Sequence, residues 1–290
     1  MNREEVHSEL AADLHCHSTA SDGLAAPERV VEEAAEAGLR VIALTDHDTV
    51  AGVAAAQAAG RNLGVEVIPA LELSTSWAGQ EVHLLGYFVD IQAPGLLRHL
   101  SQFQRERRRR ARLMVSRLAA LGYPVEWARV RELAGGGSIG RVHVARALLE
   151  RGYVSHVNQA FDQFLAEGRP AHVPHARLPI RDGLRLIAAA GGVAALAHPH
   201  LTRIDGLIPP MRGQGLVGLE VAHPSHDASE RERYLRLANH LGLLPTGGSD
   251  AHGSESPRDR PGGVRVPLSW VEALRARAAE RSAPSPDDGP

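Results

Sequence analysis

Apolar runs and helix-like stretches alternate along the first part of the chain. The segment APERVVEEAAEAGL carries apolar residues at helical spacing, with Pro27 suited to a first turn and Gly38 to a C-terminal cap. The apolar run RVIAL predicts a buried strand, and a second helix and a further strand follow it. This rhythm predicts parallel strands joined by crossover helices. In a barrel of such strands, functional residues lie at the carboxyl ends of the strands.

The middle of the chain has a different pattern. Residues 96–171 contain long charged helical segments such as LLRHLSQFQRERRRRARLMVSRLAALG, and no strand rhythm is visible there. The rhythm returns afterwards, in GGVAALAHPH, GLVGLEVAHPSH and GLLPTGGSDAHG. We therefore expect one barrel domain formed by residues 1–95 and 172–280, with residues 96–171 as a helical insertion or cap. The Pro-, Ser- and Asp-rich tail, 281–290, is expected to be disordered.

Composition and charge narrow the class of protein only slightly. The 290 residues are 43% hydrophobic, which is enough for a sizeable core, and the formal net charge of -2 does not require a nucleic-acid partner. The single cysteine, Cys16, excludes an internal disulfide framework and a thiolate zinc cluster. The charged start, MNREEVHSEL, does not resemble a signal peptide, and no run approaches the ~18 apolar residues of a membrane span. We expect a cytoplasmic protein with no membrane association and no obligate protein partner.

Histidines and carboxylates follow the apolar runs repeatedly. In an extended chain alternate side chains share a face, so His15 and His17 point the same way and Cys16 points the other way, as a small buried residue. A lone histidine after a strand is usually an ordinary residue, but recurrence at many strand ends of one barrel would bring these side chains to one mouth. The set comprises His15, His17, Asp22, Asp46, His47, Asp48, Glu72, His83, His198, Glu220, His223, Asp250 and His252.

The residue types indicate metal ions. Buried charges without partners are costly, and nitrogen and carboxylate ligands without sulfur suit manganese, iron or zinc in catalytic sites. The ligands are too many for one ion, so we expect two or three divalent ions, manganese first, with iron or zinc as alternatives. Such a cluster can clamp a phosphoryl oxygen and lower the pKa of a bridging water, which is an arrangement used for phosphoester hydrolysis. Asp46 and Asp48, on either side of His47, suit supporting roles, either as hydrogen-bond acceptors for metal-binding histidines or as local caps.

Six motifs occur in an order that resembles the PHP (polymerase and histidinol phosphatase) superfamily. They are DLHCHSTASDG, VIALTDHDTVAG, ALELST, EVHLLGY, ALAHP and GGSDAHG. The segment IGRVHVAR in the insertion is similar to a motif of the subgroup that contains 5′-3′ exoribonucleases and phosphatases of 3′,5′-bisphosphorylated nucleotides. The resemblance implies an α/β fold, a distorted (β/α)7 barrel with a helical insertion domain, and a centre of three metal ions.

The resemblance also implies a ligand set, because each motif residue is present. By likeness, the first ion is held by His15, His17, Glu72 and Asp250. Glu72 bridges to a second ion that is held by His83 and His198, and the third ion is held by Asp22, His47 and His252. A carboxylate suits the bridging position because it offers two oxygens, whereas an imidazole normally offers one nitrogen to one metal.

We expect substrate recognition in the insertion and at the point where the chain returns from the insertion to the barrel. Arg141 and His143 are predicted to hold a substrate phosphate, since the planar guanidinium can bind two phosphate oxygens at once. Arg177 and His226 are further candidates for this role, and His223 could bind the phosphate or protonate the leaving oxygen, unless it is an ordinary polar rim residue. Arg146 could instead pair with Glu150, one helical turn away.

Two further features have ordinary explanations that stay open. The run RERRRRAR, residues 105–112, suggests RNA, but on a helix its arginines point in several directions and a solvated face is the simpler interpretation. Aromatic residues make up only 4% of the chain, which argues against a long base-stacking platform. Trp77 could supply one stacking contact or belong to the core.

The sequence thus predicts an enzyme, a metal-dependent phosphoric ester hydrolase acting next to a terminal phosphate. A metal-bound hydroxide would attack phosphorus while the insertion holds the adjacent phosphate of a nucleotide or short RNA. The activity would be that of a 5′-3′ exoribonuclease on short 5′-phosphorylated RNA, a 3′,5′-nucleoside bisphosphate phosphatase, or both. The alternatives are a small-molecule phosphatase of the histidinol-phosphatase type and a non-catalytic metal-binding PHP module.

Overall fold

A largely parallel sheet organises the computed structural model, which describes residues 10–174, 178–253 and 259–282. Seven of its strands have four residues or more, and two have only two residues, among the described residues. The strands are β1 (Leu10–Cys16), β2 (Val41–Leu44), β3 (Glu66–Trp77), β4 (Gln80–Tyr87), β5 (Leu178–Pro179), β6 (Val193–Leu196), β7 (Gly218–Ala222), β8 (Leu244–Gly247) and β9 (Val266–Pro267).

The sheet curls into a nearly closed barrel. Its strand order is β8-β7-β6-β4-β3-β2-β1-β9, and β5 pairs with β3 outside this path. Just beyond the ends of β8 and β1, Ala251 pairs with Cys16, and the backbone N–H of His17 donates to the carbonyl of Ala251 at 2.9 Å. The loop after β8 therefore closes against β1, and the predicted seven-stranded barrel is confirmed.

Two strands depart from the predicted parallel pattern: the two-residue β9 is antiparallel to β1, and β4 departs over a longer stretch. Strand β4 is antiparallel to both β3 and β6. The reason is local, because only Ala78 and Gly79 separate β3 from β4, and both have positive φ, 48° and 85°. A two-residue turn of this kind forces a hairpin, and a parallel crossover would need a dozen or more residues.

Helices cover the outside of the barrel and provide the regular secondary structure in the described part of the segment between β4 and β5. The predicted first helix is present from Pro27 and is followed by Gly38 with a φ of 73°. The helices are α1 (Pro27–Glu36), α2 (Val53–Leu63), α3 (Pro94–Ala120), α4 (Trp127–Leu133), α5 (Arg141–Glu150), α6 (Val157–Ala160), α7 (Ile180–Ala189), α8 (Pro199–Thr202), α9 (Ile208–Gly213), α10 (Ala228–Leu241) and α11 (Leu268–Ser282). A single π-helical turn, Phe161–Leu165, continues α6.

Helices α3 to α6 have an apolar core of their own. Leu118, Val130, Val144 and Leu148 belong to one buried cluster within the segment between β4 and β5. The division into a barrel and an insertion at residues 96 and 171 stays a prediction. Of the predicted tail, residues 283–290 lie outside the described residues, and α11 extends to Ser282. None of the helices in the described part of the chain combines the length and the apolar character needed to cross a membrane.

Candidate metal centre

The ends of β1 and β8 bring the first histidines into the barrel mouth. His15 and His17 are buried, and their Nε2 atoms lie 3.1 Å apart. The buried carboxylate of Asp13 anchors this segment, since it accepts hydrogen bonds from the backbone N–H groups of His15, at 3.2 Å, and Ser249, at 2.9 Å. Asp13 thus ties β1 to the loop that carries Asp250.

Four ligand atoms lie close together at this point. His15 Nε2 lies 3.3 Å from Glu72 Oε2 and 3.2 Å from Asp250 Oδ1, and His17 Nε2 lies 3.3 Å and 3.1 Å from the same two oxygens. A tetrahedral ion with ligand distances of about 2.0 Å would separate its ligands by about 3.3 Å. The donor set and its spacing therefore fit a divalent metal ion.

Glu72 lies at the centre of the site. Its Oε1 is 2.7 Å from His83 Nδ1 and 2.9 Å from His198 Nε2, and its Oε2 is 3.1 Å from His47 Nδ1. The sheet explains the first contact, because Glu72 pairs with Leu85 across β3 and β4, and His83 is the diagonal neighbour on the same face. Glu72, His47 and His83 form a second group with metal-ligand spacing.

A third group surrounds Asp22. The Oδ1 atom of Asp22 lies 3.4 Å from His252 Nε2 and 3.9 Å from His17 Nδ1, and its Oδ2 lies 3.8 Å from His47 Nε2. His17 therefore turns one ring nitrogen towards the first group and the other towards Asp22. The structure brings all nine side chains of the predicted ligand set together, with neighbouring groups sharing Glu72, His17 or His47.

The electrostatics of the cluster favour bound cations. Burial alone would raise the pKa of Glu72, but His47 and His83 hold that pKa well below its ordinary value. Burial alone would lower the pKa of His17, but Asp250 and Glu72 raise it to about 10. The Nδ1 atoms of His17 and His198 are buried without a hydrogen-bond partner among the described residues. Orphaned imidazole nitrogens beside ionised carboxylates suit metal coordination.

Backbone strain is concentrated at the same place. Asp48, His198 and Asp250 have positive φ values of 51°, 29° and 50°. Such conformations are unfavourable for residues other than glycine and persist where surrounding structure enforces them. These three residues follow β2, β6 and β8, so the strain lies where the chain leaves the barrel towards the cluster.

Several carboxylates hold the ligands from behind. Glu220, within β7, places Oε1 2.9 Å from His15 Nδ1 and accepts the backbone N–H of His198 on Oε2 at 2.6 Å. Such a contact orients a histidine and increases its basicity. Sequence analysis gave Glu220 no role, although a lone acidic residue inside the apolar run LVGLEVA was the signal. Asp46 accepts hydrogen bonds from the hydroxyls of Ser18 and Ser21 and so shapes the loop after β1.

Asp48 connects the cluster to the insertion. Its Oδ2 accepts hydrogen bonds from Arg107 of α3, which approaches to 2.6 Å through Nη2 and 2.8 Å through Nε. Its Oδ1 accepts the backbone N–H of Ser74 at 2.7 Å. Both ends of this ion pair are buried or nearly so, with Arg107 13% exposed. The simple interpretation of residues 105–112 as a solvated face is therefore wrong for Arg107.

The first turns of α5 lie beside the metal-ligand groups. Arg141 Nη2 is 3.5 Å from Glu81 Oε2, and Glu81 Oε1 is 3.3 Å from His83 Nε2. On the other side, Arg146 donates to the backbone carbonyl of Asp22 at 2.8 Å. The insertion thus contacts the surroundings of two different ligands.

The remaining side chains of α5 have local partners. Arg146 does not pair with Glu150, which binds Arg129 at 2.7 Å instead. His143 is buried, and its Nδ1 accepts the backbone N–H of Gly140, which caps the helix. Burial lowers the pKa of His143 to about 4. His143 is therefore a neutral side chain at neutral pH.

The two histidines after β7 differ in their surroundings. His223 Nε2 lies 3.2 Å from Asp250 Oδ2, and its Nδ1 lies 2.7 Å from Ser225 Oγ. His226 is buried, its Nδ1 donates to the carbonyl of Val221 at 2.8 Å, and its ring packs against Tyr234. His223 thus touches a predicted ligand, whereas His226 makes its hydrogen bond to the backbone of β7.

Three other sequence predictions concern Cys16, Trp77 and Arg177. Cys16 is fully buried in an apolar cluster with Val31 and Leu44, as expected for a residue facing away from the metal groups. Trp77 packs against the main apolar core, which favours the packing explanation over base stacking. Arg177 lies outside the described residues.

Comparisons with known proteins agree with this geometry. Residues 13–124 match the PHP domain. A 5′-3′ exoribonuclease of Haemophilus influenzae is 36% identical over 90% of this chain and 92% of its own length. A 3′,5′-nucleoside bisphosphate phosphatase of Chromobacterium violaceum is 34% identical over 85% of this chain and 89% of its own length. A phosphoribosyl 1,2-cyclic phosphate 1,2-diphosphodiesterase of Eggerthella lenta is 35% identical over 84% of this chain and 95% of its own length.

The fold has a close structural counterpart. The crystal structure of a candidate metal-dependent phosphoesterase from Bifidobacterium adolescentis superposes with a TM-score of 0.85 and 30% identity, over 92% of this chain and 96% of that chain. Fold, ordered motifs and full-length relatives thus agree, and the chain belongs to the PHP domain family of metal-dependent phosphoesterases.

Proposed function

We propose that this protein is a metal-dependent hydrolase of nucleotide phosphoesters that lie next to a terminal phosphate. One observation carries the proposal: three overlapping groups of metal-ligand spacing lie beside an insertion helix that presents Arg141 and Arg146. The first feature suits attack on a phosphoester, and the second suits recognition of a neighbouring phosphate. Relatives of nearly full length are named as an exoribonuclease and a bisphosphate phosphatase, both of which act on such bonds.

Two or three divalent ions would be held by the clustered side chains, with manganese proposed first and iron or zinc as alternatives. When bound, such ions polarise phosphoryl oxygens and lower the pKa of a bound water to supply a nucleophile. The proposed ligands are His15, His17, Asp22, His47, Glu72, His83, His198, Asp250 and His252.

His223 is the proposed proton donor. Its Nε2 lies 3.2 Å from Asp250 Oδ2 and so faces the candidate metal ligands. Its Nδ1 is 2.7 Å from Ser225 Oγ, which limits rotation of the ring. A ring held in this way can deliver the Nε2 proton to the leaving oxygen.

The insertion would select the substrate. Arg141 is partly exposed and its contact with the Glu81 carboxylate is 3.5 Å long, so its guanidinium can exchange that contact for a phosphate. His143 holds the first turn of α5 in place beside it. The phosphate-binding roles of His143, His226 and Arg177 stay predictions. We further propose that residues 96–171 act as a cap over the barrel formed by residues 1–95 and 172–280.

The direct test uses manganese-loaded protein with two substrates in parallel. These are a short 5′-phosphorylated RNA and adenosine 3′,5′-bisphosphate, with products separated by chromatography. Stepwise release of nucleoside 5′-monophosphates from the RNA would establish the exonuclease. Inorganic phosphate from the bisphosphate alone would establish the phosphatase. No hydrolysis of either substrate, with metal bound, would overturn the proposal.

A matched pair of variants links the activity to the cluster. Asp250→Asn should abolish turnover while the protein stays folded, because it removes a charged oxygen near both His15 and His17. Asp182→Asn makes the same change at a position on α7 where the carboxylate is 42% exposed, and should leave turnover unchanged. Equal activity in the two variants would remove Asp250 from the site.

A further inference from the structure

A basic cavity lies in the insertion, apart from the metal-ligand groups. It has a volume of about 400 Å³ and lies between α3, α4 and the segment 134–139. This volume falls within the range of small-ligand sites. Three arginines line it, Arg108, Arg112 and Arg131, together with a single carboxylate, Glu132. The cavity therefore has a surplus of positive charge.

The arginines of the run in α3 fall into two groups. Some have a hydrogen-bond or ion-pair partner, and others have none among the described residues. Arg107 binds Asp48 at the barrel mouth, and Arg110 donates to the carbonyl of Val173. Arg109 pairs with Glu106 on the exposed side. These arginines have structural partners, so the charge of the run as a whole is not what distinguishes the cavity.

Arg108 and Arg112 differ from their neighbours. They lie one helical turn apart, both line the cavity, and no carboxylate in the described residues pairs with either of them. Arg131 of α4 faces the same cavity and likewise has no carboxylate partner in the described part of the chain. Three converging guanidinium groups without carboxylate partners favour binding of an anion.

Three details strengthen this interpretation. The guanidinium of Arg112 lies over the ring of Trp127, 5.1 Å from its centroid, and this cation–π contact restricts the side chain before any ligand binds. Glu132 contacts Arg129 at 3.0 Å, so its charge is partly neutralised from outside the cavity. The indole Nε1 of Trp127 is buried without an acceptor among the described residues. The cavity therefore combines positive charge with a pre-positioned arginine.

The cavity wall is continuous with the loop that carries Asp22. A Cβ at Gly137, in the wall, would lie 2.4 Å from the carbonyl oxygen of Thr19, so the two backbones are in direct contact. The next residue, Ser138, donates its backbone N–H to the carbonyl of Ala20 at 2.8 Å. The same wall segment then leads into α5 and Arg141. An extended substrate leaving the metal groups would meet this surface.

We propose that this cavity binds an internal phosphate of a single-stranded oligoribonucleotide whose 5′ end lies at the metal centre. The inference rests on the proposed function and deepens it, because it makes oligonucleotides the preferred substrates over mononucleotides. A nucleic-acid strand carries a phosphate at each step, so a second anion subsite beyond the cleaved bond increases affinity with chain length. A bisphosphorylated mononucleotide is too short to use it.

The test measures binding as a function of length in EDTA, where metal-dependent hydrolysis is suppressed. The probes are labelled 5′-phosphorylated oligoribonucleotides of two and eight nucleotides, and adenosine 3′,5′-bisphosphate as a competitor. We expect the octamer to bind about tenfold more tightly than the dimer. The double variant Arg108→Ala/Arg112→Ala should lose that advantage, and its salt dependence should fall by about 0.7 in log–log slope for each phosphate contact removed. Arg131→Ala, on a different helix, should give a smaller loss in the same direction.

The matched control removes the same charge from the same helix. Arg105→Ala/Arg109→Ala deletes two arginines that contact Ser101 and Glu106, and it should leave octamer binding within a factor of two of the parent. Equal octamer affinity in the two double variants would overturn the proposal. So would a wild-type affinity that does not change with length, or equally tight binding of a poly-glutamate peptide.

The Arg108→Ala/Arg112→Ala variant also distinguishes failure of the cavity proposal from failure of the proposed function. When loaded with manganese, it should hydrolyse adenosine 3′,5′-bisphosphate at the same rate as the parent, because neither substituted residue contacts the metal-ligand groups. Intact hydrolysis with no length dependence would overturn the cavity alone. Length-dependent binding without any hydrolysis would overturn the phosphoesterase and leave the cavity as an RNA-binding site.

Discussion

The barrel mouth and the insertion bring charged residues together in different ways. In the mouth, nine candidate metal ligands lie on strands or in the loops that follow them, and they share contacts through Glu72 and His17. In the insertion, arginines of one helix diverge, so that Arg107 binds Asp48 while Arg108 and Arg112 face a separate cavity. The comparison shows that strand ends concentrate side chains on one point, whereas a helix distributes neighbouring side chains over several faces.

Substitutions in the two regions should also affect activity differently. Loss of a shared ligand in the mouth affects several groups at once, because His15, His17 and His47 each contact more than one carboxylate. Loss of an arginine in the insertion affects one contact. We therefore expect effects on activity to decrease from the centre of the barrel to the cap.

The largest effect is expected for Glu72→Gln. The substitution removes the carboxylate that contacts His15, His17, His47, His83 and His198, and activity should fall by about 10³-fold or more as metal affinity is lost. Bound metal, measured by mass spectrometry, should fall with it. Glu66→Gln is the control, since Glu66 begins the same strand but pairs with the exposed Arg275. Full metal content in the Glu72 variant would contradict the shared position.

A smaller loss is expected for Glu220→Gln. This change keeps the shape of the side chain but removes the charge beside His15 Nδ1, so metal affinity or activity should fall by about 10- to 100-fold. A titration of activity against manganese concentration measures the shift. A variant with an unchanged titration curve would show that Glu220 serves only the backbone N–H of His198.

Arg107→Met tests the connection between the two regions. It leaves the buried carboxylate of Asp48 without its cation, and the free energy of unfolding should fall by about 3 kcal/mol. Activity should fall by about tenfold, because Asp48 follows His47 directly and contacts the strand that carries Glu72. Chemical denaturation and turnover measure the two effects. Arg109→Met, which breaks only an exposed pair with Glu106, should change stability by less than about 1 kcal/mol.

The effect of Arg141→Ala should be limited to certain substrates. It should lower kcat/KM about tenfold for substrates that carry a phosphate beside the cleaved bond, and should spare a phosphoester that lacks one. The comparison of adenosine 3′,5′-bisphosphate with adenosine 3′-monophosphate measures this selectivity. An equal loss on both would assign Arg141 to the architecture of the cap and leave the phosphate site elsewhere.

Much of the barrel could be predicted from the sequence, because its signals are local. The alternation of His15, Cys16 and His17 already assigns the cysteine to the apolar side, where it lies in the structure. The antiparallel direction of β4 depends on the two-residue Ala78–Gly79 turn, which interrupts the predicted parallel rhythm. The predicted ligand residues assemble because strands of one barrel end at one mouth.

The sequence by itself determined which residues are candidate metal ligands and that they lie on or after strands, since a period of two and an apolar run suffice to assign a side chain to a strand face or a strand end. Only the tertiary structure decided that Glu220 supports His15 and that Arg107 reaches a carboxylate 59 positions earlier in the chain. The physical reason is that these contacts join elements far apart in sequence. Helical periodicity sorts the arginines into faces, but only packing determines which face meets the barrel and which meets solvent.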